Sequence, residues 1–361
     1  MHKKIIVPLI LLLVIFMAGC SESKPKTVCG DGVCENSEIG KCTQDCEEIN
    51  IEKNLTPFTS PLYFTVVIHT EEDTGHCTSP KPQIPDYDGD EEVLLHFTMV
   101  MREFARMVAS HNATINFGTD WTFAKGVELY DPSFFTDLQT MGHEIDAHGH
   151  QSCILYHELR QYILATNTSP TTVASGLEEN NVYTQMSYFD NYYPEFQIFW
   201  GVAIAGHEQG EETSGWVWRP SRDNWLENDP DGKYIYIGHG NQINNITYIQ
   251  TAIDNRVPNY INTYAVFTNP REFKASKETS GIPDEWTAKP EDPDYWENRL
   301  LWWDEFLTEI DKMKGVEYAS LTEIADIFIQ NEDNLDFNFS TSDHPRSDIP
   351  MPQKQKQAGY P

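Results

Sequence analysis

Between residues 61 and 330, short apolar segments alternate with longer segments in which apolar residues recur every three or four positions. The short segments predict buried strands, and the three-to-four spacing predicts helices with one buried face. Strands are predicted at residues 63–69, 114–117, 144–148, 197–204, 234–237 and 264–267. Helices are predicted at residues 92–110, at residues 132–141 with Asp131 as the cap, and at residues 298–314. This alternation predicts an α/β domain.

The first twenty residues follow a different pattern. Lys3 and Lys4 precede an apolar run at residues 5–16, which is shorter than the roughly 20 residues that a bilayer-spanning helix requires. The pattern predicts a secretory signal peptide at residues 1–19. The Met-Ala-Gly run before Cys20 resembles the lipobox of prokaryotic lipoproteins. This resemblance implies a lipidated Cys20 and an exported cell-envelope protein, held on the outer face of a membrane through its lipid anchor only. The alternative is an ordinary cleaved signal in which Cys20 is incidental.

The composition is strongly acidic, with 25 Lys and Arg against 56 Asp and Glu and a formal net charge of −31. Because an acidic surface repels phosphate backbones, nucleic acid is not expected as a partner. The 18 Phe, 17 Tyr and 9 Trp supply enough apolar surface for a large core. A length of 361 residues fits one barrel with appendages or two domains. The polar residues 331–361 are predicted to be disordered.

Six of the seven cysteines remain when Cys20 is set aside, and six can pair completely in an exported protein. Four of them lie in a Cys-rich module at residues 29–46, which is too short to have an apolar core. Two disulfides of undetermined pairing are expected to hold it, rather than a zinc site. The polar residues 20–28 and 47–60 are predicted to be a tether and a linker.

This module resembles small Cys-rich modules with a Cys-Gly-Asp-Gly start on exported microbial proteins, a type that has been associated with calcium. Carboxylate oxygens at short spacing suit calcium. The candidate ligands are Asp31, Glu35, Glu38 and Asp45. A solvated acidic face on a disulfide-linked module is the alternative.

Three consecutive carboxylates, Glu71, Glu72 and Asp73, follow directly after the strand predicted at residues 63–69. An exposed turn that leaves the charges solvated is the structural interpretation. In a parallel barrel, the carboxyl end of a strand is also the usual place for a metal ligand beside a general base.

Ionisable side chains occupy every second position of the segment at residues 142–152. In an extended chain, one face carries Glu144, Asp146, His148 and His150. A lone buried histidine is usually a hydrogen-bonded core residue, but two imidazoles beside carboxylates favour metal ligation.

A third segment, at residues 216–222, surrounds Arg219 with aromatic residues. A buried arginine normally needs a carboxylate partner, so a structural ion pair is one interpretation. The functional interpretation is that Arg219 holds the catalytic carboxylate of the Glu72 segment in position.

Together these segments resemble the polysaccharide deacetylase family, also called the NodB homology domain. The run that begins at Thr70 is similar to the family's first motif, Thr-Phe-Asp-Asp-Gly, which implies that Glu72 is the general base and Asp73 a metal ligand. The Gly-His-Glu-Ile run at residues 142–145 matches the start of the second motif, which implies that His148 is a ligand.

The resemblance extends to the rest of residues 61–330. Arg219 and the proline after it resemble the motif that orients the base, and residues 306–325 resemble the family's final helix, strand and helix. The family implies a distorted (β/α)7 barrel with one divalent metal, for which zinc is the default given one Asp and two His ligands.

The chain departs from the family pattern at three places. The family's second histidine would fall at Ser152, so His150 or His157 has to substitute for it. The base position holds Glu rather than Asp. The late motif that supplies an acid histidine falls near residues 266–272, where there is none, and His239 is the nearest replacement.

The resemblance implies a metal-dependent hydrolase that removes acetyl groups from an N- or O-acetylated carbohydrate at the cell surface, with an acylated glycan as substrate. A catalytically inactive, surface-tethered carbohydrate-binding protein on the same barrel is the alternative. Hydrolysis of another amide or ester is a third possibility. Cys77 and Cys153 follow the two ligand motifs closely, and we predict a disulfide between them across the rim of the site.

Overall fold

A computed structural model of the chain describes residues 60–70, 87–149, 156–176, 182–201, 215–225, 227–238, 240, 244–273 and 295–337. The chain divides into two units, Met1–Thr56 and Pro57–Pro361, and every described residue belongs to the second. The predictions for the signal peptide, for Cys20, for the Cys-rich module and for the Cys77–Cys153 disulfide therefore lie outside the described residues. Within those residues, no helix is both long and apolar enough to cross a bilayer.

One sheet contains nine strands of the described chain. They are β1 (Leu62–His69), β2 (Ile115–Thr119), β3 (Glu144–His148), β4 (Val173–Ser175), β5 (Ile198–Trp200), β6 (Val217–Trp218), β7 (Ile235–Ile237), β8 (Asn262–Thr268) and β9 (Val316–Tyr318). The strand order is β6-β7-β5-β4-β3-β2-β1-β8, and β9 pairs with the first half of β1. Strands β1 to β5 and β7 to β9 run parallel, whereas β6 is antiparallel to β7.

The two ends of this sheet approach each other. An antiparallel bridge joins Gly215, just before β6, to Thr263 of β8. The sheet is therefore a nearly closed barrel with seven parallel strands along its main strand order and β9 beside β1, and the predicted α/β fold of the (β/α)7 type is confirmed.

Eight helices accompany the strands in the described residues. They are α1 (Glu91–Ser110), α2 (Trp121–Tyr130), α3 (Phe134–Thr140), α4 (Tyr156–Ala165), α5 (Val182–Tyr192), α6 (Ile246–Asp254), α7 (Tyr295–Asp311) and α8 (Leu321–Asn331). The longest, α1, begins where the Asp90 carboxylate accepts hydrogen bonds from the backbone N–H groups of Glu92 and Val93. Such a cap satisfies donors that the first helical turn leaves without partners.

The strands separate an outer and an inner apolar cluster. In β1, which is buried along its whole length, Val66 and Ile68 pack outward among the helices, whereas Tyr63 and Val67 face the barrel interior. The apolar face of α8 belongs to the inner cluster. The Ser320 hydroxyl before α8 donates to Glu144, the first residue of β3, at 2.7 Å. Helix α8 therefore covers the amino edge of the barrel, and chemistry is expected at the carboxyl edge.

Most predicted elements form close to their expected positions, and the helix, strand and helix expected at residues 306–325 are confirmed as α7, β9 and α8. The Asp131 cap was wrong. The cap residue of α3 is Ser133, which makes no side-chain cap bond, and Asp131 instead accepts two hydrogen bonds from Arg102 of α1 at 2.6 and 2.8 Å. A charged pair of this kind outcompetes a weaker bond to a backbone N–H.

Residues 331–337, the first part of the predicted disordered tail, have a defined structure. Glu332–Asn334 form a 3₁₀ turn after α8. Leu335 is 8% exposed and joins the inner apolar cluster, and the ring of Phe337 packs against Phe328 with centroids 5.9 Å apart. The apolar contacts of Leu335 and Phe337 thus hold this polar segment against the inner apolar cluster. Residues 338–361 lie outside the described residues.

Candidate active site

Two histidine rings meet inside the barrel at its carboxyl edge. His69 is the last residue of β1 and His148 the last residue of β3. They are 2% and 1% exposed, and their ring centroids are 3.6 Å apart with planes inclined by 25°. The intervening strand β2 makes this contact possible, because it carries Gly118 between them. A Cβ at Gly118 would lie 2.8 Å from Cδ2 of His69.

The neighbouring strand β4 contributes the partner of His148. The register pairs His148 with Ser175, whose hydroxyl oxygen is 3.0 Å from Nδ1 of the imidazole. The hydroxyl of Tyr156 lies 2.7 and 2.6 Å from the carbonyl oxygens of Gly149 and Ser175. The ends of β3 and β4 are therefore joined both at the ring and at the backbone.

Two carboxylates, those of Glu144 and Asp146, precede His148 on the same face of β3. The amide of Asn116 donates to Glu144 at 2.6 Å and to Asp146 at 3.1 Å. The predicted shared face of Glu144, Asp146 and His148 is thus confirmed. Burial, followed by the negative charge of Glu144, raises the pKa of Asp146 to about 8, although hydrogen bonds from Thr171 and Asn116 act in the opposite direction. Asp146 therefore keeps its proton to a higher pH than an exposed aspartate does.

The end of β1 is held in place just before the carboxylate segment. The backbone N–H of Thr70 donates to the carbonyl of Gly118 at 3.1 Å, and the Thr70 hydroxyl accepts from the N–H of Asp120 at 2.9 Å. The chain therefore leaves toward Glu72 and Asp73 from a point beside the two imidazoles.

Arg219 lies at the other edge of the barrel. Because β6 is antiparallel to β7, with Val217 opposite Ile237, Arg219 follows β6 toward the amino end of β7. Its guanidinium donates to both carboxylate oxygens of Glu332 at 2.6 and 2.9 Å, and to the carbonyl of Gly232 at 2.9 Å.

This placement argues against the prediction that Arg219 orients Glu72. Glu72 lies two residues beyond Thr70, which is held at the carboxyl edge. Two residues span only about 7 Å even when fully extended, whereas the parallel strands separate that edge from Arg219. Arg219 forms the ion pair of the structural interpretation, with Glu332 as the carboxylate; because Glu72 lies outside the described residues, the role beside it stays a prediction.

Several predicted site residues lie outside the described chain, namely Glu72, Asp73, His150, Ser152 and His239. His157 is described, and its ring stacks on Tyr193 with centroids 3.8 Å apart while its Nε2 lies 3.0 Å from the tyrosine hydroxyl. These contacts assign His157 to the packing of α4 against the end of α5. Within the described ranges, no three His, Cys, Asp or Glu side chains group closely enough to hold a metal ion.

The sequence analysis did not single out His69 or Ser175. The alternation of Tyr63, Thr65, Val67 and His69 would have placed His69 on one face of β1, but this strand is buried on both faces and reads as continuously apolar. Ser175 ends a strand of three residues, too short to show any period.

No family model matches the chain, and no curated protein matches it. Among solved structures, it resembles one described as a probable polysaccharide deacetylase from Pseudomonas aeruginosa PAO1, with a TM-score of 0.44 and 13% identity over 78% of this chain and 97% of that chain. It also resembles Puue allantoinase, with a TM-score of 0.44 and 13% identity over 74% of this chain and 90% of that chain.

A third similar structure is 4-alpha-glucanotransferase from Thermococcus litoralis, with a TM-score of 0.44 and 10% identity over 74% of this chain and 40% of that chain. Scores and identities this low carry no functional argument, because one fold supports many activities. We therefore base the functional proposal on the residues of this chain.

Proposed function

We propose that the protein is a metal-dependent hydrolase that removes acetyl groups from an N- or O-acetylated carbohydrate, and that lipid on Cys20 holds it at the cell surface. The observation that carries the proposal is the contact between the last side chains of β1 and β3, where the ring of His148 stacks on the ring of His69. Asp73 follows His69 by four residues. Because an extended chain advances about 3.3 Å per residue, its carboxylate can reach the imidazole of His148.

The chemistry of this edge fits a divalent cation. Ser175 engages Nδ1 of His148, so ligation would use Nε2. The chain at position 176 passes so close to this ring that only glycine fits, because a Cβ there would lie 2.7 Å from Cε1 of His148. We propose Asp73, His148 and His150 as the ligands, a set that suits zinc.

A cation held there would supply Lewis-acid polarisation of the acyl carbonyl. Glu72 would accept a proton from the attacking water, and His239 would donate a proton to the departing amine or alkoxide. One water is consumed, and acetate and the deacetylated sugar are the products.

A surface-tethered carbohydrate-binding protein on the same barrel is the second candidate. Two observations favour it. Arg219 pairs with Glu332 at the amino edge, whereas the deacetylase family uses the arginine of this motif to orient the base. Asn269, buried at the end of β8, stands near the place where that family has its acid histidine.

A carboxylate substitution separates the two candidates. We expect Glu72→Gln to lower acetate release from acetylated chito-oligosaccharides and acetylated xylan by about 10²- to 10⁴-fold, because the general base is lost. The adjacent Glu71→Gln removes the same charge and serves as the matched control, with activity within a few-fold of the wild type. The assay is acetate release with zinc supplied.

Equal activity of Glu72→Gln and the wild type would refute the assignment of the base. A wild-type chain that binds zinc and these glycans but releases no acetate would establish the binding protein instead. Metal analysis of the purified chain, repeated for Asp73→Ala and His148→Ala, tests the proposed ligands directly.

A further inference from the structure

We infer that Ser175 and His69 are positioning residues for His148. Ser175 occupies Nδ1 and accepts its proton when a metal takes Nε2, and His69 holds the plane of the ring. The inference rests on the proposed function and extends it to two residues outside the motifs that suggested that function.

Ser175 is placed to occupy Nδ1 of His148 and to accept its proton when a cation takes the lone pair of Nε2. The two residues are direct neighbours in the sheet, 2% and 1% exposed, and the hydroxyl oxygen lies 3.0 Å from Nδ1. Water does not compete for a hydrogen bond buried this deeply. When Nδ1–H donates to Ser175, the lone pair of the imidazole is on Nε2, which is the tautomer that ligates through Nε2.

His69 is placed to support the ring rather than to share its cation. The two rings stack with centroids 3.6 Å apart and planes 25° apart. Rings so nearly parallel do not direct both lone pairs to one point at the roughly 2.1 Å of a zinc–nitrogen bond. Trp200 and Phe267 hold His69 in turn, with ring centroids 5.3 and 5.0 Å from its own.

Two glycines restrict the remaining space around the pair. A Cβ at Gly118 would lie 2.8 Å from Cδ2 of His69 and 3.2 Å from Cβ of His148. Gly176 has a φ of +77°, which side chains rarely allow, and a Cβ there would lie 2.7 Å from Cε1 of His148. A side chain at either position would clash with an imidazole, so the stacked arrangement requires glycine at both.

Zinc affinity tests the role of Ser175. In competition with a chromophoric chelator at neutral pH, we expect Ser175→Ala to bind zinc about 10- to 100-fold more weakly than the wild type, the usual effect of losing the partner of a ligating histidine. Ser175→Thr keeps the hydroxyl and should bind within about threefold of the wild type.

Ser60→Ala is the matched control. Ser60 is fully buried and its hydroxyl accepts a hydrogen bond from the N–H of Asn262 at 3.1 Å, but it precedes β1 at the amino edge. Its loss should lower the unfolding temperature without changing zinc affinity. Thermal unfolding in EDTA then separates damage to the fold from damage to the site.

A second pair of variants tests His69. His69→Phe keeps a flat ring in the stack and should retain zinc affinity and the visible spectrum of the cobalt-substituted protein. His69→Ala removes the ring, so it should weaken zinc binding and shift the cobalt bands. If His69→Phe loses zinc binding as completely as His148→Ala does, His69 is a ligand and its positioning role is overturned.

The remaining outcomes distinguish this inference from the proposed function. If the wild type binds zinc and Ser175→Ala binds it equally well, or if Ser175→Thr binds as weakly as Ser175→Ala, the role of Ser175 is overturned and the proposed function stands. A wild-type chain that binds no divalent cation overturns both.

Discussion

Two buried histidines lie at the two ends of β3, His143 just before the strand and His148 as its last residue. Their ring nitrogens have different partners. His143 accepts a hydrogen bond from the N–H of Ile115 at Nδ1 and donates from Nε2 to the carbonyl of Ala105, at 3.1 and 2.9 Å. Burial lowers the pKa of His143, so this residue is a neutral structural link between β2, α1 and the start of β3. His148, whose Nδ1 lies 3.0 Å from the Ser175 hydroxyl and whose ring stacks on His69, is the histidine of the motif that lies at the carboxyl edge.

A third histidine gives the fold a pH dependence. Burial by itself lowers the pKa of His111, but hydrogen bonds and charges from Asp311 and Asp304 of α7 outweigh it, and the pKa is raised. Tyr318 donates to the same Asp311. Because the raised pKa belongs to the folded state, the stabilisation is fully present below the unfolded pKa of roughly 6.5 and is lost as the pH rises through the folded value.

We therefore expect His111→Gln to lower the free energy of unfolding more at about pH 5.5 than at about pH 8.5, with a difference of up to about 1 kcal/mol because both aspartates are partly exposed. Urea unfolding of the two proteins at each pH measures it. The same loss at both pH values would show that His111 acts through packing alone.

At the scale of elements, α8 determines which end of the barrel is accessible. Its first turn is tied to β3 through Ser320 and Glu144, and its last turn is tied to the residue after β6 through Glu332 and Arg219. The guanidinium carbon of Arg219 also lies 5.7 Å from the ring centre of Phe328. Arg219 therefore holds the far end of the helix against the amino edge.

Replacing Arg219 tests this assignment. We expect Arg219→Ala to lower the free energy of unfolding by about 2 kcal/mol, because Glu332 loses its partner in a partly buried position. Hydrolytic activity at temperatures well below unfolding should be unchanged. Arg222→Ala is the control, because Arg222 is half exposed and pairs with Asp190, so its loss should cost little stability. Loss of activity in Arg219→Ala without loss of stability would restore the predicted role beside Glu72.

At the scale of the whole molecule, the net charge of −31 is the dominant electrostatic feature. Ion pairs such as Arg102 with Asp131 use few of the carboxylates, and the excess charge repels itself most in the folded state. Raising sodium chloride from about 10 mM to about 1 M shortens the Debye length from about 30 Å to about 3 Å. We expect the unfolding temperature to rise by a few degrees, as measured by calorimetry. A fall would show that the screened ion pairs outweigh the repulsion.

Features with a local period could be predicted from the sequence. The strand at Glu144–His148 was expected at the bounds that the structure has, and its two-residue period placed Glu144, Asp146 and His148 on one face. The α/β class followed from the same kind of evidence. In contrast, β4 and β6 were not predicted. They have only three and two residues, and segments so short show no period.

The sequence by itself therefore determined which residues can share one face of a strand or helix, because side-chain direction repeats within a few residues along the backbone. Only the tertiary structure decided that His69, His148 and Ser175 are neighbours, because their strands pair across long stretches of chain. It also decided that Arg219 lies at the amino edge, because β6 runs against β7, and the direction of a strand depends on its partners in the sheet rather than on its own residues.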